Sequence, residues 1–156
     1  MTEKIIEGIK YLLEEETLTA EVIKNPNGYR GNIIIPETIV FNEVTYRVTS
    51  VGKQAFGNCF SLTSVVIPNS VTSIGRDAFW GCDSLTSIVI PDSVTSIGEA
   101  AFMGCDSLKS ITFNGTKMQW NSIELGDEWN CEIPAQIVRC TDGNVKIEEW
   151  LYDENT

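Results

Sequence analysis

The sequence predicts a repeat solenoid that is mainly β, and three observations support this fold class. Two consecutive segments of 23 residues, LTSVVIPNSVTSIGRDAFWGCDS at 62–84 and LTSIVIPDSVTSIGEAAFMGCDS at 85–107, differ at only five positions. Apolar residues alternate at the start of each segment, as in a strand with one buried side. The hydrophobic content of 42% is sufficient for one continuous core. A fixed period in this range indicates a stack of small coils that bury their apolar sides against one another.

The repeats extend beyond the two full copies. A further copy begins with LKSITFNGT at 108–116 and then departs from the pattern. An earlier copy is divided into Ile33–Pro36 and Val48–Ser61 by an insertion of nine residues. The chain is therefore expected to form a single domain over 1–156. Its expected parts are an N-terminal β-hairpin cap with a partial repeat at 1–47, a repeat core at 48–113 and a C-terminal cap at 114–156.

Each coil is predicted to contain a strand, a corner, a second short extended piece and a helical turn. Val65 and Ile67 alternate as buried strand residues, and Pro68 ends the strand because it has no N–H to donate. The segment VTSIG forms the second extended piece, after which Gly75 permits a sharp turn. The segment RDAFWGC at 76–82 is long enough for one or two helical turns on the convex side.

Equivalent residues of stacked coils lie about 4.8 Å apart, so identical side chains are expected to form columns. An internal column of rings is predicted from Phe56, Phe79 and Phe102. A second column, of buried thiols, is predicted from Cys59, Cys82 and Cys105. Trp80 and Met103 occupy a variable position of the repeat and are expected on the exposed convex side.

Both ends of the stack need caps, because a bare terminal coil exposes its core and its unpaired strand edges. At the front, Leu18, Ala20 and Val22 alternate like a strand, and IVFNEVTYRV at 39–48 indicates two short strands around Asn-Glu. Residues 3–13 fit either a strand or a first helix of about three turns.

At the back, the segment Lys117–Ile123 is predicted to be a short helix after an Asn-Gly turn. This helix would place Trp120 and Ile123 over the last coil. Residues 133–145 are predicted to form a hairpin with a turn near TDGN.

Composition and charge exclude several classes of function. The 22 acidic and 11 basic residues give a net charge of -11, and the chain has no histidine. Phosphate backbones would be repelled, so nucleic acid is not an expected partner. No stretch approaches the ~20 consecutive apolar residues of a membrane helix, so membrane insertion is not expected either. The acidic ends are read as solubilising.

Catalytic and metal-binding patterns are weak. Without histidine, neither a Ser-His nor a Cys-His nucleophilic pair can form. Ser50 and Lys53 have the spacing of a lysine-activated serine, yet both occupy repeat positions, and the lysine position holds either charge in the other copies. Asp83 and Asp106 recur at coil corners without a glycine-rich metal-binding loop. The sequence therefore predicts no enzymatic activity, no metal and no cofactor.

Cysteine and tryptophan leave alternatives open. Five cysteines cannot all pair within the chain. Cys131 and Cys140 lie outside the repeats, where a disulfide bridge could staple the C-terminal cap. Trp120, Trp129 and Trp150 fall in or beyond this cap, and a place in its core is favoured over a platform for stacking sugars.

The repeat LTSIVIPDSVTSIGEAAFMGCDS resembles the 23-residue leucine-rich repeat of the BspA-like family of bacterial surface and secreted proteins. The resemblance covers Ile33–Phe113, and the segments before and after it are similar to the lead-in and closing segments of that family. It implies a short, arched, right-handed coil stack with a parallel sheet on its concave side. It also implies a cell-surface or secreted location, although no signal peptide is visible in the chain, and a cytoplasmic location is the alternative.

The outward side of the main strands is the candidate binding surface. It is a nearly uncharged ladder of hydroxyl and small apolar groups without a large aromatic or arginine anchor, which favours weak, multivalent recognition. The predicted residues are Thr63, Ser64, Val66, Thr86, Ser87, Val89, Lys109, Ser110 and Thr112.

The leading interpretation is a non-enzymatic protein-binding or adhesion module. The family resemblance implies host or neighbouring-cell proteins as partners and leaves the oligomeric state open. The alternative is an architectural spacer or assembly segment of a larger protein, in which the Thr-Ser ladders only stabilise the sheet. Carbohydrate binding is a weaker third interpretation.

Overall fold

Successive coils of the chain contribute strands to two β-sheets, in a computed structural model that describes residues 1–148. The eight-stranded sheet comprises β1 (Thr2–Ile6), β2 (Ile9–Glu14), β3 (Thr19–Val22), β5 (Thr38–Phe41), β6 (Val44–Val51), β8 (Ser73–Ile74), β10 (Ser96–Ile97) and β12 (Glu124–Leu125). The six-stranded sheet comprises β4 (Gly31–Ile34), β7 (Leu62–Val66), β9 (Ser87–Ile90), β11 (Ser110–Phe113), β13 (Ile137–Cys140) and β14 (Gly143–Lys146). The stack makes about four turns, which confirms the predicted mainly β solenoid.

The sequence period sets the register between coils. In the six-stranded sheet, β9 and β11 pair in parallel with Ile88 opposite Ile111. In the eight-stranded sheet, β8 and β10 pair in parallel with Ser73 opposite Ser96. Residues one period apart are thus direct neighbours in both sheets. The second extended piece that the sequence predicts in each VTSIG segment is present, as β8 in the first full repeat and as β10 in the second.

The inserted residues of the first coil form a hairpin. Ile33 of β4 lies opposite Val65, whereas Ser50 of β6 lies opposite Ser73, so the extra residues fall between these two points. They form β5 and the start of β6, which pair in antiparallel orientation around Asn42 and Glu43. These two residues have φ values of 50° and 64°, as a type I′ turn requires. The two short strands predicted here are confirmed.

The segment predicted as helical turns is instead a run of β-turns. In the second coil, the N–H groups of Ala78 and Trp80 donate to the carbonyls of Gly75 and Asp77, three residues earlier. The intervening N–H of Phe79 donates to a carbonyl of the next coil. Asp77 has a φ of 55°, which is typical of the third residue of a type II turn. A 3₁₀ helix would use every N–H internally, so bonding between coils replaces the helix here.

Close backbone packing explains the repeat glycines. The sequence predicts that Gly75 is needed for a sharp turn, but neither Gly75 nor Gly98 has the positive φ that such a turn would require. A Cβ atom at Gly98 would lie 2.5 Å from the backbone nitrogen of Arg76 and 2.6 Å from the carbonyl carbon of Gly75. Successive coils therefore approach each other so closely that only glycine fits at this position.

The predicted ring column forms and continues into both caps. Phe56, Phe79 and Phe102 are buried, with centroids 5.0 and 5.1 Å apart and rings within 4° of parallel. Tyr29 covers the front ring at 4.7 Å, and Trp129 meets the last ring edge-on at 6.3 Å. The aromatic core thus runs through all coils, and each cap supplies a terminal aromatic side chain.

The predicted thiol column also forms. Cys59, Cys82 and Cys105 are buried and carry free thiols. The Cys82 and Cys105 sulfurs each donate at 3.0 Å to a backbone carbonyl, that of Phe56 and that of Phe79 respectively. Cys82 and Cys105 therefore act as small core residues whose weak donors are satisfied by the preceding coil.

At the front, residues 3–13 are strands, so the alternative of a first helix is wrong. β1 and β2 form an antiparallel hairpin whose turn residues, Glu7 and Gly8, have φ values of 49° and 85°. Ile9, Tyr11 and Leu13 point into the core from β2, in the period-two pattern of a strand. The apolar residues that suggest a helical stripe are thus divided between two strands.

At the back, the predicted helix and hairpin are both present. The helix α1 (Lys117–Asn121) starts with a capping box in which Thr116 and Gln119 exchange side-chain to backbone bonds. Trp120 and Ile123 are buried, as predicted. β13 and β14 form the hairpin, with β13 continuing the parallel sheet beside β11.

Candidate functional site

The outward side of the six-stranded sheet, which we call the strand face, carries the nine predicted binding residues. Thr63, Thr86, Ser87 and Lys109 are exposed, and Ser64, Ser110 and Thr112 are partly exposed. The side chains between them along each strand, such as Val65, Ile88 and Ile111, point into the core. Strand alternation therefore holds one set of candidates in solvent on one side of the molecule: Ser64, Val66, Ser87, Val89, Ser110 and Thr112. The other three, Thr63, Thr86 and Lys109, each come one residue earlier and are exposed where the strand begins.

A continuous row of side chains crosses the strand face. Pairing places Ile34 beside Val66, Val66 beside Val89, Val89 beside Thr112, and Thr112 beside Arg139. We call Ile34, Val66 and Val89 the apolar row, and their side chains are 70%, 53% and 45% exposed, respectively. Neighbouring strands are about 4.8 Å apart, so the apolar row is a contiguous stripe rather than three isolated side chains.

Sequence reasoning misses three members of the strand face: Asn32, Ile34 and Arg139. Asn32 and Ile34 belong to the partial first coil, where the nine-residue insertion interrupts the repeat. Arg139 follows the buried Val138 in β13, which is predicted only as part of a hairpin. The alternation in IVRC is the signal that could have placed Arg139 on this side, and its presence contradicts the prediction that the surface lacks an arginine.

The hydroxyl groups of the strand face divide into two sets. In the first coil, the Asn32 Oδ1 atom accepts bonds from Thr63 Oγ1 at 3.0 Å and from Ser64 Oγ at 2.7 Å. Within residues 1–148, the hydroxyls of Ser87 and Ser110 form no hydrogen bond with the protein. The front of the ladder therefore stabilises the sheet, whereas its middle has free hydrogen-bonding capacity.

The strand face also differs from the rest of the chain in charge. None of the six strands contains Asp or Glu, although the chain has 22 such residues. Arg139 of β13 and Lys146 of β14 are exposed, and Lys109 directly precedes β11. Exposed Arg30 directly precedes β4 at the Ile34 end, whereas the two cations that lie within strands, Arg139 and Lys146, are both at the opposite end of the sheet.

The S-x-x-K pair has a structural role. Ser50 lies in β6 opposite Ser73, and its hydroxyl donates to Glu21 Oε1 at 3.1 Å. Lys53 is exposed in the following turn.

Asp83 and Asp106, the two acids considered for a metal site, are exposed at coil corners. Across residues 1–148, no cluster of three or more His, Cys, Asp or Glu side chains is placed to hold a metal ion.

The disulfide considered between Cys131 and Cys140 is not formed, because Cys140 carries a free thiol. Cys131 lies in the β-turn run of the last coil, where its carbonyl accepts from the Gly104 N–H. Cys140 instead ends β13 and pairs with Gly143 in the hairpin. Burial raises the pKa of the Cys140 thiol, and nearby Asp142 raises it further.

The tryptophans of the back cap are core residues. Trp120 and Trp129 are 2% and 5% exposed, and their ring centroids are 5.6 Å apart. A cavity of about 300 Å³ lies beside them, but rings that are this deeply buried offer no platform for a sugar. Trp80 is 43% exposed on the turn side, as predicted, and Trp150 lies outside the described residues.

Among the described residues, no helix has the length and apolarity to cross a membrane.

Stacked coils, two parallel strand ladders and repeat-spaced core columns define the chain as a repeat protein with a leucine-rich β-solenoid. The match to a family model is more specific. Residues 35–149 match the BspA-type leucine-rich repeat region, a model of six repeat copies, so the chain belongs to this family. The resemblance noted from the repeats is thereby confirmed. Proteins of this kind generally act as protein-interaction modules.

Solved structures with the same architecture come from several bacteria. A leucine-rich repeat protein from Bacteroides capillosus is 28% identical, with a TM-score of 0.73, over 90% of this chain and 99% of the other. One from Bacteroides ovatus is 27% identical, with a TM-score of 0.66, over 87% of this chain and 40% of the other. No curated protein matches the chain.

A leucine-rich cell surface protein from Faecalibacterium prausnitzii shares the fold. It is 23% identical, with a TM-score of 0.61, over 88% of this chain. The match covers only 45% of the Faecalibacterium protein, so this chain spans less than half the length of that relative and of the one from Bacteroides ovatus.

Proposed function

We propose that the protein is a non-enzymatic protein-binding or adhesion module at the bacterial cell surface, and that it binds through the strand face. The observation that supports this most is the apolar row, in which three neighbouring aliphatic side chains are 70%, 53% and 45% exposed. Contiguous exposed apolar surface marks interaction sites more often than isolated exposed side chains do. The hydroxyls of Ser87 and Ser110 beside the row could hydrogen-bond a partner.

The size of the apolar row favours weak single contacts. Complete burial of one aliphatic side chain contributes about 1.5–3 kcal/mol, so half-exposed side chains contribute about 1 kcal/mol each. Three of them give about 3 kcal/mol, which is less than the roughly 4–15 kcal/mol that association costs in lost freedom. Useful affinity therefore requires further polar contacts or several copies displayed together.

Binding assays with multivalent protein test this proposal. The domain would be displayed on beads and titrated against extracellular-matrix proteins and against host and bacterial cells. Saturable binding is expected, and the double variant Val66→Ser/Val89→Ser should lose most of it. The matched control is Val40→Ser, which alters a valine that is 61% exposed on the inserted hairpin. Absence of saturable binding, or equal binding by all variants, would contradict the proposal.

An architectural spacer within a longer protein is the second candidate. The observation that favours it is coverage, since the chain corresponds to 45% and 40% of two longer relatives. In either role, we propose that 1–47 and 114–156 act as caps on a repeat core at 48–113. The spacer role predicts that the Val66→Ser/Val89→Ser variant binds and assembles like the unaltered protein.

A further inference from the structure

The charge pattern of the strand face is opposite to that of the whole chain. The net charge is -11, yet the six strands of this sheet contain one arginine and one lysine and no acid. In the eight-stranded sheet, by contrast, Glu3, Glu14, Glu21 and Glu124 lie within strands. A cluster of surface charge does not by itself indicate a ligand. The evidence for one is whether these cations are paired and where they lie relative to the apolar row.

The cations of the strand face are not neutralised by the described part of the protein. Ion pairs within residues 1–148 involve the N-terminus, Lys10 and Arg76 as the cations. Lys109, Arg139 and Lys146 form none with residues of this range. Glu148 lines the same cavity as Lys146, although no ion pair joins the two. Exposed cations that are unpaired within residues 1–148, on strands without acids, are complementary to a negatively charged group on a partner.

The cations continue the apolar row. Arg139 is the fifth member of the row that begins with Ile34, after Val66, Val89 and Thr112. Lys146 lies on the next strand opposite Ile137, and thus on the same side of the sheet as Arg139. A row across five strands spans roughly 19 Å, which equals about six residues of extended chain. One end of this span is aliphatic and the other is cationic.

We infer that the strand face binds an extended protein segment of about six residues, aliphatic at one end and carrying carboxylates at the other. The segment crosses the strands, with its aliphatic side chains on the apolar row and its carboxylates at Arg139 and Lys146. This inference rests on the proposed function and adds the chemistry of the partner. Arginine and lysine pair readily with carboxylates, and the aliphatic end sets the direction of the segment.

A protein segment fits better than a long polyanion. Asp83, Asp92 and Asp106 are exposed at the corners that flank the strand face. A nucleic acid or sulfated polysaccharide that extends past the cationic end would meet these acids and the net negative charge of the chain. A short segment whose carboxylates are confined to one end avoids them.

Chemical shift changes in an NMR titration test the inference, because they detect millimolar binding and locate it. The probes are the blocked hexapeptide ITVTDD and its reverse DDTVTI, since the direction of the chain is part of the question. One of the two should shift residues of β7, β9, β11 and β13. The amide analogue ITVTNN or NNTVTI should bind about tenfold more weakly, and raising the salt from 20 to 300 mM should weaken only the acidic probe.

Two charge-reversal variants complete the experiment. Arg139→Glu/Lys146→Glu should reduce the affinity for the acidic probe about tenfold or more. The control Lys24→Glu/Lys53→Glu changes the net charge by the same amount at exposed positions outside the strand face. It should change the affinity for the acidic probe less than twofold. Equal effects of the two variants, equal binding of acidic and amide probes, or tighter binding of a DNA duplex would each overturn the inference.

The failure of this inference is distinguishable from failure of the proposed function. If a protein partner loses binding to Val66→Ser/Val89→Ser but not to Arg139→Glu/Lys146→Glu, the strand face binds protein and the acidic segment is refuted. If neither variant affects any partner, the strand face is not a binding surface and both proposals are refuted. Far-UV circular dichroism of each variant checks that loss of binding does not reflect unfolding.

Discussion

Replacement of Phe79 by alanine is expected to cost about 3–5 kcal/mol of unfolding free energy, the usual range for a buried phenylalanine. Phe79 is completely buried and is the middle member of the ring column, with neighbours at 5.0 and 5.1 Å. Each ring pair contributes about 0.5–1.5 kcal/mol beyond area burial, so the two stacks account for roughly 1–3 kcal/mol of the total.

Two companion variants separate the contributions. Phe79→Leu retains most of the apolar volume but removes both ring stacks, and is therefore expected to cost about 1–3 kcal/mol. Trp80→Ala removes an adjacent aromatic side chain that is 43% exposed, and its cost should remain below about 1 kcal/mol. The order of stability is thus Trp80→Ala, Phe79→Leu and Phe79→Ala, from most to least stable.

Urea unfolding followed by far-UV circular dichroism measures these differences. At about 0.05 kcal/mol per residue or more, the 156-residue chain is expected to have a stability of at least about 8 kcal/mol, so Phe79→Ala should still fold in buffer. Because coils contact only their neighbours, loss of the central stack should also broaden the transition and lower its apparent m value. A cost below 1 kcal/mol for Phe79→Ala, or one equal to that of Trp80→Ala, would refute the view that the ring column couples the coils.

Three other perturbations have defined outcomes. Gly98→Ala should lower the melting temperature strongly, because its Cβ would lie 2.5 Å from the Arg76 backbone nitrogen, at a cost of about 1–3 kcal/mol or more; an unchanged melting temperature would contradict this close approach. Thr116→Ala should cost about 1 kcal/mol in urea unfolding by removing the helix cap, whereas Thr116→Ser should cost less than half of that. Contact with the Cys105 thiol and burial raise the pKa of Cys82, so above pH ~8.5 this thiol ionises only in the unfolded chain and by itself lowers stability by up to about 1.4 kcal/mol per pH unit. Other thiols whose pKa is raised, such as Cys59 and Cys140, add to this fall. Cys82→Ala should flatten this fall, and an equally steep pH dependence in that variant would exclude Cys82 as its source.

The features that could be predicted from sequence are those encoded by local pattern. Alternation identifies the strands, Asn42-Glu43 marks a hairpin turn, and the repeat period sets the register between full copies. The ring column follows from the strands and their register, because parallel in-register strands bring equivalent side chains together.

The β-turn runs could not be predicted in this way. A helical turn and a β-turn both contain bonds from an N–H to a carbonyl three residues earlier, as from Ala78 to Gly75. The difference is the N–H of Phe79, which bonds to Ala101 of the next coil. Only the presence of that coil makes the alternate bonding pattern favourable, and a window within one repeat does not contain this information.

The full repeats and the partial ones contribute differently to the strand face. Each full copy supplies only hydroxyls and one valine to it, and these side chains would be alike in any stack of such repeats. Ile34 and Arg139 come from the first and last coils, where insertions obscure the period, and they add the most exposed aliphatic group and a charge. A uniform ladder can bind a partner in several registers, whereas a row with different ends favours one register and one direction. Specificity of the strand face is therefore expected to reside in the atypical coils, and the repeats between them set the distance that a partner must span.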